Sequence, residues 1–354
     1  MYLTSLVLQH FRSYSQKKID FNNALTVIVG QNTAGKTNLV EAILMLASGK
    51  SFRAEKDSQM IAFGEDVGRI QGLVERNEEK TKLEVTIAQG EITGGRLLKR
   101  FFVNEVPKSR NRFIGFLPTV LFRPEELDII IDGPGIRRDF LDEVLEQVDM
   151  DYRNAKLIYD KALRQRNALL DVVRETGARN TQQFEYWDEL LITNGTIITL
   201  TREYFLEFIN TSIKDVFECK VIYDKSIISE DRLLQYKDAE MGSATTLVGP
   251  HRDDFFITAR DKEGNDQNIK HFGSRGQQRL VVLQLKLLQM AFIEKKLFTK
   301  PLLVLDDIFS ELDSHHISLV LEKIVGRQVI MTTTHKEFLP DFVRESAAVV
   351  ELSK

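Results

Sequence analysis

Three features of the chain predict an α/β nucleotide-binding head carrying an inserted helical lobe. Residues 30–37, Gly-Gln-Asn-Thr-Ala-Gly-Lys-Thr, form a complete G-x-x-x-x-G-K-[ST] loop between an apolar run at 24–29 and an amphipathic one at 39–46. A second apolar run, 301–305, ends in the acid pair Asp306-Asp307. Between them, after Gly133-Pro134-Gly135, the spacing of apolar residues changes from that of strands to that of helices.

In chain order, 3–8 and 25–29 read as strands leading to the loop. Residues 69–74, 83–88 and 99–103 read as further strands separated by polar turns, a β-rich flank to an α/β core. Gly49 is the expected stop for the helix that follows the loop. From Arg137 onward Phe140, Val144, Val148, Tyr152, Ala155, Ile158 and Ala162 predict one long helix. Polar residues 176–181 interrupt it, and Phe184, Trp187, Leu191, Asn194, Ile198, Thr201, Phe205 and Phe208 trace a second. The pair is expected to form a short antiparallel hairpin, an arm of about 38 residues reaching roughly 57 Å. After Thr246 the pattern alternates again: a helix from Gly276 to about Lys295, a strand at 302–305, a helix after Asp313 and a strand at 328–332. The expected division is a split head, 1–130 and 246–354, around an all-helical lobe, 131–245.

The loop is the most informative segment. Backbone N–H groups must close around phosphate oxygens, and Gly30 and Gly35 permit an approach that a β-carbon would obstruct. Gln31, Asn32, Thr33, Ala34 and Asn38 complete the cradle. Lys36 supplies a point charge, Thr37 a hydroxyl for Mg²⁺, and the helix beginning there turns its positive end to the same anion. Asp306, at the end of a buried strand, is placed to hold Mg²⁺, and Asp307 to orient or deprotonate an attacking water. Acids also cap strands and start helices, an alternative that the company of Lys36 weakens. Ser274-Arg275-Gly276-Gln277 opens the long apolar helix and reads, by itself, as an ordinary N-cap.

The residues 30–37, Phe11-Arg12-Ser13-Tyr14, Gly49-Lys50-Ser51-Phe52-Arg53, 122–127, 133–141, Gly249-Pro250-His251-Arg252-Asp253-Asp254, 274–279 and 305–307 together resemble the ABC-type ATPases, and among them the RecF recombination-repair family, over nearly the whole chain. The Gly-Pro-His-Arg-Asp-Asp and Gly-Gln-Gln-Arg segments carry most of the specificity. The resemblance implies an ABC-type head that works in pairs, with ATP on one subunit's Lys36 completed by Ser274, Gly276 and Gln277 of the other. It also implies a metal role for Asp306, a catalytic-acid position at Asp307, a dimer-crossing loop at 310–313, a γ-phosphate sensor at His335 and an approach of Arg12 to the phosphates. Arg275 stands where the family more often has a smaller residue, Asp307 where ABC proteins usually place Glu, and His335 just past the Thr332-Thr333-Thr334 run. The implied activity is a slow, DNA-stimulated ATPase that clamps double-stranded DNA near gaps or single/double-strand junctions as an ATP-dependent homodimer and assists RecA loading with RecR and RecO. Two other readings share the motifs, the ATP-binding subunit of a transporter and an SMC-type chromosome-organising ATPase; the insert argues against the first and its shortness against the second.

Composition narrows the remaining classes. The 354 residues are 43% hydrophobic and 28% charged, long enough for two cores. A net charge of −4 assigns any nucleic-acid contact to a local patch. The basic residues at 153–166 are read first as a solvated helix face. One cysteine, Cys219, is expected as a buried thiol in a reducing compartment. No leader pattern or 18-residue apolar stretch is evident, so a cytoplasmic protein without membrane contact is expected. The histidines lack zinc spacing, and no Gly-x-Ser-x-Gly hydrolase motif occurs.

Overall fold

The computed structural model describes residues 1–90, 93–307, 326–334 and 347–352. The chain divides into two compact units, Met1–Glu126 with Gln289–Lys354, and Leu127–Leu288. Its strands are β1 (Tyr2–Phe11), β2 (Tyr14–Asp20), β3 (Leu25–Val29), β4 (Val67–Arg76), β5 (Glu79–Ala88), β6 (Leu98–Val103), β7 (Val106–Lys108), β8 (Thr119–Phe122), β9 (Lys220–Asp224), β10 (Asp254–Arg260), β11 (Asp266–Asn268), β12 (Leu302–Asp306), β13 (Val329–Thr333) and β14 (Ala348–Glu351).

The first unit holds two sheets. One is antiparallel, in the order β2-β1-β4-β5-β6-β7; the other is parallel, β14-β3-β13-β12-β8. The β4–β5 and β6–β7 turns are two-residue hairpins, Asn77-Glu78 and Asn104-Glu105, with positive φ at both positions, the conformation that matches strand twist. β12 and β13 are buried at every residue, as central parallel strands covered on both faces must be. The mixed sheets and helices give the α/β class that the sequence predicts.

The helix Lys36–Ser48 packs against both sheets, and every residue from Leu39 to Ala47 is buried. The amphipathic reading of this run is therefore corrected: a helix covered by a sheet on two sides has no solvent face, and its one acid, Glu41, is buried too. Gly49 ends it in the left-handed conformation, φ 68°, its N–H returned to the Met45 carbonyl. A buried side chain, Gln328, joins the sheets: its carbonyl accepts the Leu3 N–H at 2.7 Å, and its amide donates to Leu3 O at 2.7 Å and Asn22 O at 2.9 Å.

The second unit is helical around the small sheet β11-β10-β9. The single helix expected from Arg137 is two, Pro134–Val148 and Met150–Thr176, because Asp149 leaves helical geometry (φ −133°, ψ 114°) and its carboxylate caps the N–H groups of Asp151 and Tyr152. Gly177 closes the second in the left-handed conformation, and Asn180 caps the third, Thr181–Thr211. These last two helices form the antiparallel hairpin, pairing Arg166 with Asp188 and Tyr152 with Arg202. At 27 residues the helix Met150–Thr176 spans about 40 Å, shorter than the expected arm because the Asp149 break removes the first turns from it, and its 31-residue partner spans about 46 Å. Residues 246–288, expected with the head, pack in this unit, where β10 pairs with β9. The helix expected after Asp313 lies outside the described residues.

The segment His251–Asp254 ties this unit together. Arg202, 2% exposed, donates to Asp142 at 2.8 Å, Asp253 at 3.0 Å and the Pro250 carbonyl at 2.8 Å; Tyr223 and the Ser226 N–H add to Asp253. Arg137 forks onto Asp254 at 2.6 and 2.9 Å. His251 accepts from the Tyr159 hydroxyl at Nδ1, 2.7 Å, and donates from Nε2 to Thr246 O, 3.0 Å, which fixes the neutral tautomer. Burial, with Arg252, Arg138 and Arg166 near by, pushes its pKa down from 6.5 to about 4 despite the Thr246 bond. A depressed imidazole pKa means that the unfolded chain binds the extra proton. Its contribution is complete above pH 6.5 and is lost as pH falls from there towards 4, about 3 kcal/mol in all. Urea midpoints taken across that window are expected to fall more steeply for the wild type than for His251→Gln, which cannot take up this proton.

Candidate nucleotide-binding site

Parallel pairing brings the C-terminal ends of β3, β13 and β12 to one edge, with Val29 beside Thr333 and Thr332 beside Asp306. Ligands of open parallel sheets bind at this edge. The loop Gly30–Gly35 leaves β3 here, held by the Gly30 N–H on Thr333 O at 3.2 Å. Gly35 has φ 97°, and a β-carbon there would strike the Tyr14 hydroxyl, which donates to the Gly35 carbonyl at 3.1 Å. At Gly30 a β-carbon would lie 3.0 Å from the Ala34 Cβ. Gly35 is thus required by the local geometry, Gly30 sits in close packing, and the loop delivers Lys36 and Thr37 to the first turn of the helix.

One cavity of about 300 Å³ is lined by Asn32, Thr33, Gly35, Lys36, Thr37 and Asn38 from the loop and helix, Phe52 and Arg53 from the following turn, Pro124 and Glu125, and Asp306 and Asp307. Lys36 folds over the loop, donating to Gly30 O at 2.7 Å and Gln31 O at 3.2 Å. Burial lowers its pKa, and the charges of Asp307 and Asp306 oppose that shift. Asp306 accepts from the Thr332 hydroxyl at 2.6 Å, and the Thr332 oxygen in turn accepts from the Asp307 N–H at 3.1 Å. Asp307 turns off the strand in the left-handed conformation, φ 52°. Burial raises the Asp306 pKa, and Glu125 and Asp307 add to it, against the Thr332 bond and the Lys36 charge.

A hard divalent cation fits this donor set. The Thr37 hydroxyl and Asp306 carboxylate are oxygen ligands, and the crowding of three acids on one cavity is what such a charge relieves. Among the described residues no group of three or more His, Cys, Asp or Glu side chains could hold a metal ion by itself.

In the sequence Thr332 stands out only as the lead-in to His335, and Glu125, Arg53 and Glu41 only as parts of longer segments. For Thr332 the available signal was its place on a strand adjacent to an acid-ended one. Arg12 forms a forked pair with Glu41 at 2.8 and 2.6 Å and lines a neighbouring hollow with Ser13, Asn38 and Gln59. Ser274, Gly276 and Gln277 belong to the second unit. The Gln277 N–H donates to Ser274 Oγ at 3.2 Å and the Gln277 side chain accepts the Ser274 N–H at 2.8 Å, a reciprocal capping box at the start of the helix Arg275–Leu297. All three residues are exposed. His335 and the 310–313 segment lie outside the described residues.

A phosphate loop, an acid-ended strand and this sheet order define a P-loop ATPase head of the ABC type. The chain matches the RecF/RecN/SMC N-terminal domain family over residues 2–352. Curated relatives described as DNA replication and repair protein RecF include one from Agathobacter rectalis, 34% identical over 97% of this chain and 94% of its own length, and one from Moorella thermoacetica, 34% identical over 99% and 95%. Two solved structures of the recombination mediator protein RecF in the RecFOR pathway, RecF-ATP and RecF-ATPrS, superpose with TM-scores of 0.86 and 0.85 at 31% identity, each covering 96% of this chain and 93% and 94% of their own. The chain belongs to the RecF family of DNA replication and repair proteins. These near full-length relatives favour the repair reading over a transporter subunit or a chromosome-organising ATPase. Among the described residues no helix is long and apolar enough to cross a membrane.

Because Asp306 has a raised pKa, its ionisation opposes folding: the penalty is absent at low pH and complete above the folded-state value. Asp306→Asn keeps the acceptor for Thr332 and removes the charge. The expected result is a thermal midpoint above wild type at pH 7, converging with it in acid, together with a loss of Mg²⁺-dependent ATP turnover of about 100-fold or more. Differential scanning fluorimetry across pH and a phosphate-release assay check the two halves.

Proposed function

We propose that the chain is an ATP-dependent DNA-binding protein of recombinational repair. ATP binding drives two copies together, the dimer clamps double-stranded DNA near gaps, and slow hydrolysis releases it. The convergence of Lys36, Thr37, Asp306 and Asp307 on one cavity supports this reading most directly. Lys36 neutralises the outer phosphates, and the loop amides from Gly30 to Lys36 hold them. Thr37 and Asp306 would hold Mg²⁺, which screens the phosphate charge when bound. Asp307 orients the attacking water. It is one methylene shorter than Glu, so that water must lie nearer the backbone, and phosphoryl transfer is sensitive to such misplacement. Slow turnover follows, as a timed switch requires.

Ser274, Gly276 and Gln277 are assigned to the partner's nucleotide. Their exposure at a helix start supports this: the positive end of the helix dipole is turned to an incoming anion. A Cβ at Gly276 would meet nothing nearer than Ser274 Oγ at 3.9 Å, so the approach is open. His335 is retained as the γ-phosphate sensor on the resemblance alone. DNA, RecR and RecO are assigned as partners from the relatives described as replication and repair proteins and as RecFOR-pathway structures, and RecA loading is the task they serve.

Sedimentation with and without ATP and duplex DNA tests the scheme. The wild type is expected to shift to a dimer with ATP. Lys36→Ala should lose both nucleotide binding and the shift, whereas Ser274→Arg should keep ATP binding as a monomer. Equal dimerisation of all three would refute the sandwiched nucleotide. A second measurement separates a repair ATPase from a transporter subunit: duplex DNA is expected to raise ATP turnover several-fold.

A further inference from the structure

Glu41 lies one turn beyond Thr37 on the phosphate-loop helix, and its side chain is 0% exposed. A buried carboxylate persists only where it is fully paired. Arg12 donates from Nε at 2.8 Å and Nη2 at 2.6 Å, Arg53 from Nε at 3.0 Å with Nη2 at 2.9 Å, and Ser51 from Oγ at 2.5 Å. Burial alone would raise the Glu41 pKa, but the bonds from Arg12, Ser51 and Arg53 hold it below the ordinary carboxylate value.

Two guanidinium groups therefore share one carboxylate, which leaves the cluster with an excess of positive charge. Part of that excess lies on the nucleotide cavity. Arg53 lines the cavity with Lys36 and Thr37, and Arg12 lines the hollow next to it; Asn38 borders both and accepts from Arg53. Arg12 is further fixed by its bond to Gln59 O at 2.7 Å and by a left-handed backbone, φ 54°, at the β1–β2 turn. Neither arginine reaches its place from its own strand or helix: each sits in a turn, and the common anchor is the acid on the helix below.

We infer that Glu41 is a positioning residue that aims Arg12 and Arg53 at the terminal phosphate of the bound nucleotide. The inference rests on the nucleotide reading of the cavity. It assigns to a side chain that never meets the ligand the job of distinguishing a triphosphate from a diphosphate, because a fork held by a carboxylate keeps its remaining N–H groups pointed one way.

The test measures affinities of the full chain for fluorescent ATP and ADP analogues. Glu41→Gln preserves shape and removes the charge. The expected result is a loss of about tenfold in ATP affinity, the scale of one charge-assisted hydrogen bond, with ADP affinity little changed. In an Arg12→Ala/Arg53→Ala background the same substitution is expected to leave the ATP-to-ADP ratio unaltered. Equal losses for both nucleotides, or a further fall in the ratio without the arginines, overturn the inference. Should Glu41→Gln fail to fold, Arg12→Lys and Arg53→Lys, which keep charge and lose the fork, are expected to reduce the ratio; an unchanged ratio in both overturns it equally. Lys36→Ala is measured alongside. If it binds both nucleotides as well as wild type does, the nucleotide reading fails, whatever Glu41 does.

Discussion

The site depends on β13 lying between β3 and β12. That one placement sets the loop and the acid pair a strand's width apart on either side of Thr332, whose hydroxyl bonds Asp306 and receives the Asp307 N–H. One hydroxyl thus anchors both acids. The arrangement also explains why Asp306 sits in an electrostatically unfavourable spot: the strand that carries it is buried at every residue, and Glu125 and Asp307 add like charge. Strain of this kind marks a site shaped for a cationic partner more than for stability.

The second unit reverses the usual meaning of a conspicuous motif. His251, Arg252, Asp253 and Asp254 have the residue types of a catalytic cluster, yet each is spent on holding neighbouring segments together. His251 is locked neutral between Tyr159 and Thr246, Asp253 is surrounded by Arg202, Tyr223 and Ser226, and Asp254 is forked by Arg137. The buried set of Arg202 with Asp142 and Asp253 is costly to assemble and costly to break. Its value lies in fixing where the helices and the small sheet meet.

The loop, the acid-ended strand, the β-rich flank and the helical hairpin were legible because each has a strong local signal: a glycine spacing, an apolar run, an alternation or a helical stripe. What escaped had none. β2 is polar and lies at a sheet edge, so Tyr14–Asp20 shows little alternation. The Asp149 break is invisible to periodicity because the apolar stripe continues through it; only the capping geometry reveals two helices. Thr332 and Glu41 act through residues distant in sequence, Glu41 through Arg12 and Arg53, so their roles exist only after folding. The Lys36–Ser48 helix misled for the opposite reason: its one buried acid simulates a polar face.

The Gln328 side chain grips Leu3, 325 positions earlier, and among the described residues β3 has β13 and β14 as its neighbours in the sheet. A ribosome releases the phosphate loop early and its flanking strands last. Throughout nearly all of translation β3 is an unpaired apolar segment with both edges open, the kind of intermediate that aggregates or recruits chaperones. Premature termination anywhere before the final strands would leave a fragment with the loop sequence intact and no pocket, so a shortened product could not compete with the intact protein for nucleotide.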